Sequence, residues 1–228
     1  MLRALIVAAT FFMAQNAASA QTGGIRVAPV LVSLTPERAI GSIRLTNGRD
    51  TPVSFEVEAY VWSQANGEDQ LIPTNTLIVA PAIFEIRAGS EQTVRLGVRD
   101  ADPTHESAYR ILLRELPAER QSGAALGFAL EMSLPVFVTP RGAAADITTH
   151  VDGQRLTLTN TGNSFAQIAL LSGEQRLDAP RYLLAGSSAT IEISTRGGPL
   201  RLVEASALGQ RNEHVIHVGP PVQHASVH

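Results

Sequence analysis

The stretch 126–138, LGFALEMSLPVFV, alternates with a period of two. On an extended chain that order places Leu126, Phe128, Leu130, Met132, Leu134, Val136 and Val138 on one face. The other face carries Ala125, Gly127, Ala129, Glu131, Ser133, Pro135 and Phe137. Pro135 has no N–H to give to a ladder, so this part of the strand belongs at a sheet edge or beside a bulge. A long apolar edge invites pairing by another chain. Two readings stand: the apolar face closes the strand's own core, or the edge is there to be paired.

Outward from this stretch the chain keeps the same grammar. From Ile25 onward it breaks into short β-branched runs separated by Gly, Pro, Asn and Asp, the pattern of an all-β sandwich. The expected strands are 26–34, 42–47, 52–62, 76–79, 83–87, 91–98, 108–116 and 126–138, with turns at Asn47-Gly48, Asn66-Gly67, Ala88-Gly89-Ser90 and Pro117. Pro140-Arg141-Gly142-Ala143 interrupts the pattern and is read as a domain boundary. After it, 146–150, 154–159, 165–171, 181–184, 189–194, 200–206 and 213–218 read as strands of a second, smaller sandwich. The halves are alike in kind, and no letter-level repeat is evident between them.

Composition narrows the function. Residues 1–20, MLRALIVAATFFMAQNAASA, have a basic start, an apolar run and a small-residue end, which reads as a secretory signal cleaved after Ala20. The chain is therefore expected to be exported, without membrane insertion. It has no cysteine, so packing alone must stabilise it. The balance of 18 basic and 21 acidic residues has no basic run, which argues against nucleic acid. Every basic residue is an arginine, suited to two-pronged capture of a carboxylate. Among the histidines, His214 and His217 are the one close pair, and on a strand they face opposite ways, so no metal or other cofactor is expected. Glu56 and Glu58 share a strand face and read as a solvated pair rather than an acid-base dyad. There is no nucleophile elbow and no glycine-rich loop leading into a helix, so an enzyme has no visible machinery.

Five ordered stretches carry a family resemblance: VSLTPERAI at 32–40, LTN at 45–47, RAGSEQTVRL at 87–96, YRILLRELP at 109–117 and LPVFVTP at 134–140. LTLTNTG at 156–162 and RYLLAGSS at 181–188 continue it more weakly. Together they resemble the periplasmic pilus-assembly chaperones of the chaperone-usher pathway, the PapD-like family. The resemblance implies two immunoglobulin-like β-sandwich domains at an angle with an interdomain cleft, divided here as 21–140 and 141–228. It implies a periplasmic chaperone that binds pilin subunits one to one and delivers them to an outer-membrane usher, without cofactor. Binding would be by strand addition, the mode that chaperone–pilin complexes exemplify. Counting back from Pro140, the donated side chains fall at Leu126, Phe128 and Leu130, extended by Met132. Arg38 falls where the family grips the subunit's terminal carboxylate. A free chaperone with a bare donor edge is also a candidate for self-association.

The chain departs from the family in three places. The family's second anchoring cation, a lysine five residues before the proline matched by Pro140, is Pro135 here, which leaves Arg110 and Arg114 as candidates for that charge. Leu112 stands where the family signature has asparagine, and Thr139 where the family has an arginine of its interdomain salt bridge. These departures, with the missing cysteine and the PVFV run, resemble the divergent archaic branch. The rival reading is an exported structural or adhesive β-sandwich protein such as a pilus component. Stoichiometry separates the two, because a chaperone copurifies with one subunit and is absent from the finished fibre.

Overall fold

The computed structural model describes residues 20–22, 24–117, 129–177, 182–193, 199–206 and 211–217. Their regular elements are strands: β1 (Ala20–Thr22), β2 (Ile25–Ala28), β3 (Val32–Leu34), β4 (Ile40–Asn47), β5 (Val53–Ala65), β6 (Glu68–Pro73), β7 (Leu77–Ala80), β8 (Ile83–Ile86), β9 (Glu91–Val98), β10 (Ser107–Leu116) and β11 (Glu131–Val138). They continue with β12 (Ile147–Asp152), β13 (Arg155–Asn160), β14 (Ala166–Ser172), β15 (Gln175–Arg176), β16 (Tyr182–Leu183), β17 (Ser188–Glu192), β18 (Leu200–Ser206) and β19 (Arg211–Ile216). Among the described residues no helix is long and apolar enough to cross a membrane.

The first eleven strands make two sheets, ordered β1-β2-β4-β9-β7 and β3-β11-β10-β5-β6, with β8 also paired to β5. Their alternate inward residues, from Ile25 to Val138, interlock as one core. The last eight strands make β12-β13-β17 and β15-β14-β18-β19, with β16 on β14, around a separate core from Leu156 to Ile216. Both halves are sandwiches, as period-two alternation requires when each sheet hides one face.

The single strand expected over 26–34 is two strands in different sheets. Pro29 cannot continue a ladder, and the chain changes sheets there: β2 pairs β4, whereas β3 runs parallel to β11. A strand absent from the sequence reading is β6, whose residues are all exposed and carry no alternation. It exists because Asn66 and Gly67, at φ 55° and 82°, turn β5 back on itself.

The halves also share a repeat that the sequence reading missed. Each has Leu-Thr-Asn closing a strand, at 45–47 and 158–160, and later Ala-Gly-Ser, at 88–90 and 185–187. In the first, the fully buried Asn47 donates its amide to the carbonyls of Thr51 and Ile86 at 2.8 and 3.1 Å, and its N–H to that of Ser90. In the second, the equally buried Asn160 donates to the carbonyls of Ser164 and Leu183 at 2.8 and 3.0 Å, and its N–H to that of Ser187. Gly89 and Gly186, at φ 67° and 72°, form the two matching turns. The repeat escapes a reading by letters because 43 residues separate Asn47 from Ser90 and only 27 separate Asn160 from Ser187.

Candidate functional site

β11 pairs with β10 from Ser107↔Val138 to Arg114↔Glu131. The bond from the Glu115 N–H to the Leu130 carbonyl, 2.8 Å, fixes the phase of this ladder. Leu130, Met132, Leu134, Val136 and Val138 therefore turn their backbone groups toward β10. Glu131, Ser133, Pro135 and Phe137 turn theirs away. On that outer side β3 pairs only with Val136–Val138, and the Thr139 N–H continues to the Leu34 carbonyl at 3.0 Å. Among the described residues, no strand pairs with the outer side of Glu131–Pro135. Pro135 lies on this side, so its missing N–H costs the β10 ladder nothing.

Leu134, Val136 and Val138 are buried in the first core, and Leu130 and Met132 lie against it half-buried. They occupy the margin where the core meets the open edge. Leu126 and Phe128 lie outside the described residues.

The opposite face of this sheet is organised in cross-strand rows, since paired residues project to one side. Ala108 and Phe137 form the first row, with Trp62 packed beside them, then Tyr60, Arg110 and Pro135, then Glu58, Leu112 and Ser133, then Glu56, Arg114 and Glu131. In the last row Arg114 lies 3.2 Å from Glu131, 3.4 Å from Glu58 and 3.7 Å from Glu56. Glu56 and Glu58 are thus the partners of a cation. Arg110 is the cross-strand neighbour of Pro135 itself. Its guanidinium stacks 3.8 Å from the centre of the Trp62 ring, with Asp69 at 3.6 Å. The cavity beside it, about 320 Å³, is lined by Trp62, Gln64, Glu68, Asp69, Arg110 and Tyr182. Of these, the buried Trp62 indole N–H has no acceptor among the described residues.

Arg38 is exposed and ends the turn Thr35-Pro36-Glu37-Arg38, where its N–H donates to the Thr35 carbonyl at 2.9 Å. No carboxylate among the described residues lies within ion-pair distance of it, whereas its neighbour Glu37 lies 3.7 Å from Arg141. The site therefore keeps Arg38 and Arg110 apart in character: one is exposed, the other lies over an aromatic ring.

At the other end of these rows the two sandwiches meet. Phe137 stacks on Phe165 with ring centres 3.6 Å apart, and Trp62, Tyr182 and Leu184 complete the buried cluster. Gln64 reaches across, giving its amide to the Tyr182 carbonyl at 3.0 Å and accepting from the Leu184 N–H at 2.9 Å. Glu106 is the polar centre of the joint. It accepts from the Thr139 hydroxyl at 2.7 Å, the Ser164 hydroxyl at 2.9 Å and the Phe165 N–H at 2.7 Å. Burial pushes the Glu106 carboxyl up from its ordinary range, against the pull of these three donors. Thr139, in place of the family's arginine, makes the joint hydrogen-bonded rather than ionic. Phe137, Trp62, Gln64 and Glu106 were not singled out by sequence reading as a joint. The one signal was a large aromatic, Phe137, on the otherwise small and polar face of its strand.

Residues 24–144 match the family described as pili and flagellar-assembly chaperone, PapD N-terminal domain. No curated protein matches in sequence. Among solved structures, the chain is similar to one from the chaperone–tip adhesion subunit pre-assembly complex CsuC–CsuE of the archaic Csu pili of Acinetobacter baumannii, at 20% identity and TM-score 0.65, covering 83% of this chain and 96% of that one. It is similar to one from the Salmonella enterica SafA pilin in complex with the SafB chaperone, at 13% identity and TM-score 0.67, covering 87% and 97%. The E. coli chaperone DraB matches at 16% identity and TM-score 0.65, covering 85% and 96%.

Proposed function

Because the chain belongs to the pili and flagellar-assembly chaperone family, through a PapD N-terminal domain over residues 24–144, we propose that it lends β11 and the residues before it to pilin subunits that lack a strand. The observation that carries this reading is the unpaired outer side of Glu131–Pro135, with Leu130 and Met132 half-buried beside it. Backbone pairing along that edge supplies affinity with little regard to sequence, and Leu126, Phe128, Leu130 and Met132 fill the subunit's groove. No nucleotide is needed: the subunit is held incompletely packed and relaxes when an outer-membrane usher exchanges the lent strand for the next subunit's. Residues 1–20 are the export signal, the periplasm is the working compartment, and the two working units are 21–140 and 141–228.

Arg38 takes the subunit's terminal carboxylate. Arg110, rather than Arg114, supplies the second cation, because it lies across from Pro135, the position of the family's lysine. Arg114 is committed to Glu56, Glu58 and Glu131. The test is coexpression with a pilin subunit. The chain copurifies one to one with the subunit and is absent from the finished fibre. Arg38→Ala weakens capture of the intact subunit about tenfold more than capture of one lacking its terminal carboxylate, as expected for one charge-assisted pair. Incorporation into the fibre, or equal losses for both subunits, overturns the reading.

A further inference from the structure

Where β11 begins, Leu130 meets β10 through one backbone bond and one side chain. The Glu115 N–H donates to the Leu130 carbonyl at 2.8 Å, but the Leu130 N–H goes to the Glu115 carboxylate, Oε2, at 3.3 Å. Arg49 holds that carboxylate with two parallel bonds, Nη1 to Oε1 at 2.5 Å and Nη2 to Oε2 at 2.9 Å. Arg49 follows β4 in the facing sheet, and its own N–H is fixed at 2.9 Å by the side-chain oxygen of the buried Asn47. A continuous line of hydrogen bonds thus runs from the middle of the sandwich through Arg49 and Glu115 to the backbone of Leu130.

We propose that Arg49 and Glu115 are positioning residues that hold Leu130 in place, so that Glu131 and Ser133 offer their outward backbone groups to a client strand in one register. The inference rests on the donor-strand reading above. Register matters at this point because a slip of one residue would turn every side chain of the lent segment to the opposite face. An ion pair serving stability alone has no use for the Leu130 N–H, and a partner for that group was available in the Glu115 carbonyl. Both side chains are largely covered, and the pairing holds the Glu115 carboxyl below its ordinary range through the Arg49 hydrogen bond. The pair therefore stays charged at neutral pH.

Three variants, coexpressed with a pilin subunit that the wild type captures, test the proposal. Glu115→Ala lowers subunit recovery about tenfold, the scale of one lost charged hydrogen bond. In the free protein it speeds hydrogen exchange at the Leu130 amide about tenfold while leaving Val136–Val138 unchanged. The exchanged pair, Arg49→Glu with Glu115→Arg, restores the ion pair and the melting temperature but leaves Leu130 without a carboxylate, so recovery stays low. Recovery restored by the exchanged pair, or exchange accelerated equally along the whole of β11, overturns the proposal. Leu126→Asp with Phe128→Asp is the control for the underlying reading. If recovery survives it, the donor strand itself is wrong; if it abolishes recovery while Glu115→Ala binds like wild type, only the positioning role falls.

Discussion

β19 ends the last sheet, and the first half of β11 ends its own on the outer side. β19 reads RNEHVI, with Arg211, Asn212, Glu213 and His214 exposed along it and Glu213 bound to Arg201 at 2.6 Å. β6, another edge, reads EDQLIP and is exposed throughout. β11 reads EMSLPVFV, with Glu131 as its one charge. Charges along an edge make strand addition costly, because a newcomer must desolvate them. β19 and β6 are guarded in this way, whereas the edge strand β7, LIVA, and the outer side of β11 beyond Glu131 carry no charge. The donor-strand proposal makes the open, uncharged part of β11 the working surface.

The largest test of this comparison strips the bare edge of its apolar content. Leu126→Asp with Phe128→Asp removes two side chains that the proposed complex would bury in the subunit's groove, at roughly 1.5–3 kcal/mol each, so subunit recovery falls about a hundredfold or more. Unchanged recovery would make β11 an ordinary edge. A finer test uses the phase of the ladder. Ser133→Pro removes an outward N–H and no bond to β10, so it lowers recovery about tenfold while the melting temperature stays within a few degrees. Met132→Pro, one residue away, breaks the β10 ladder and unfolds the sandwich. Equal behaviour of the two variants would refute the assigned phase.

The paired asparagines compare the halves directly. Asn47→Ala takes the donor from the carbonyls of Thr51, Ile86 and Arg87, and Asn160→Ala from the buried ones of Ser164 and Leu183, and each costs about 2–3 kcal/mol of stability, read by calorimetry. Only the first weakens subunit capture, because only Asn47 fixes Arg49. The smallest effect concerns the joint. Glu106 titrates above an unfolded glutamate, so the folded chain holds its proton to higher pH, and the stability this adds is present below the unfolded value and lost as pH rises through the folded one. Glu106→Gln keeps an acceptor for Phe165 and gives its amide to Thr139 and Ser164. Its stability stays within about 1 kcal/mol of wild type. Relative to Glu106→Gln, the wild type loses stability as pH rises across this window. A difference of the opposite slope would mean that the three hydrogen bonds outweigh burial.

Local pattern made most of the fold readable. Alternation of β-branched residues between turn formers located β4, β5, β9, β10 and β11, and Pro135 announced an edge. What escaped has a common physical cause: it depends on which strands meet. Nothing local in RVAPVLVSL says that β2 and β3 join different sheets. Leu130 carries the same letter whether or not a carboxylate from Glu115 ends its ladder. Arg110 and Arg114 are alike in sequence, and only pairing with Pro135 or Glu131 tells them apart. Arg38 and Arg110 could be named as candidates from a resemblance, while Glu106, Gln64 and Phe137 draw their roles from a second sandwich far along the chain.

Pro135 has one more consequence. Within β11 the open side offers Glu131 and Ser133 with complete backbone groups, then a carbonyl without a donor, then the flank of β3. An incoming strand that crept two places toward the joint would lose a bond at the proline and collide with β3. The proline thus works as an end stop on a ruler, letting clients of unrelated sequence halt at the same mark.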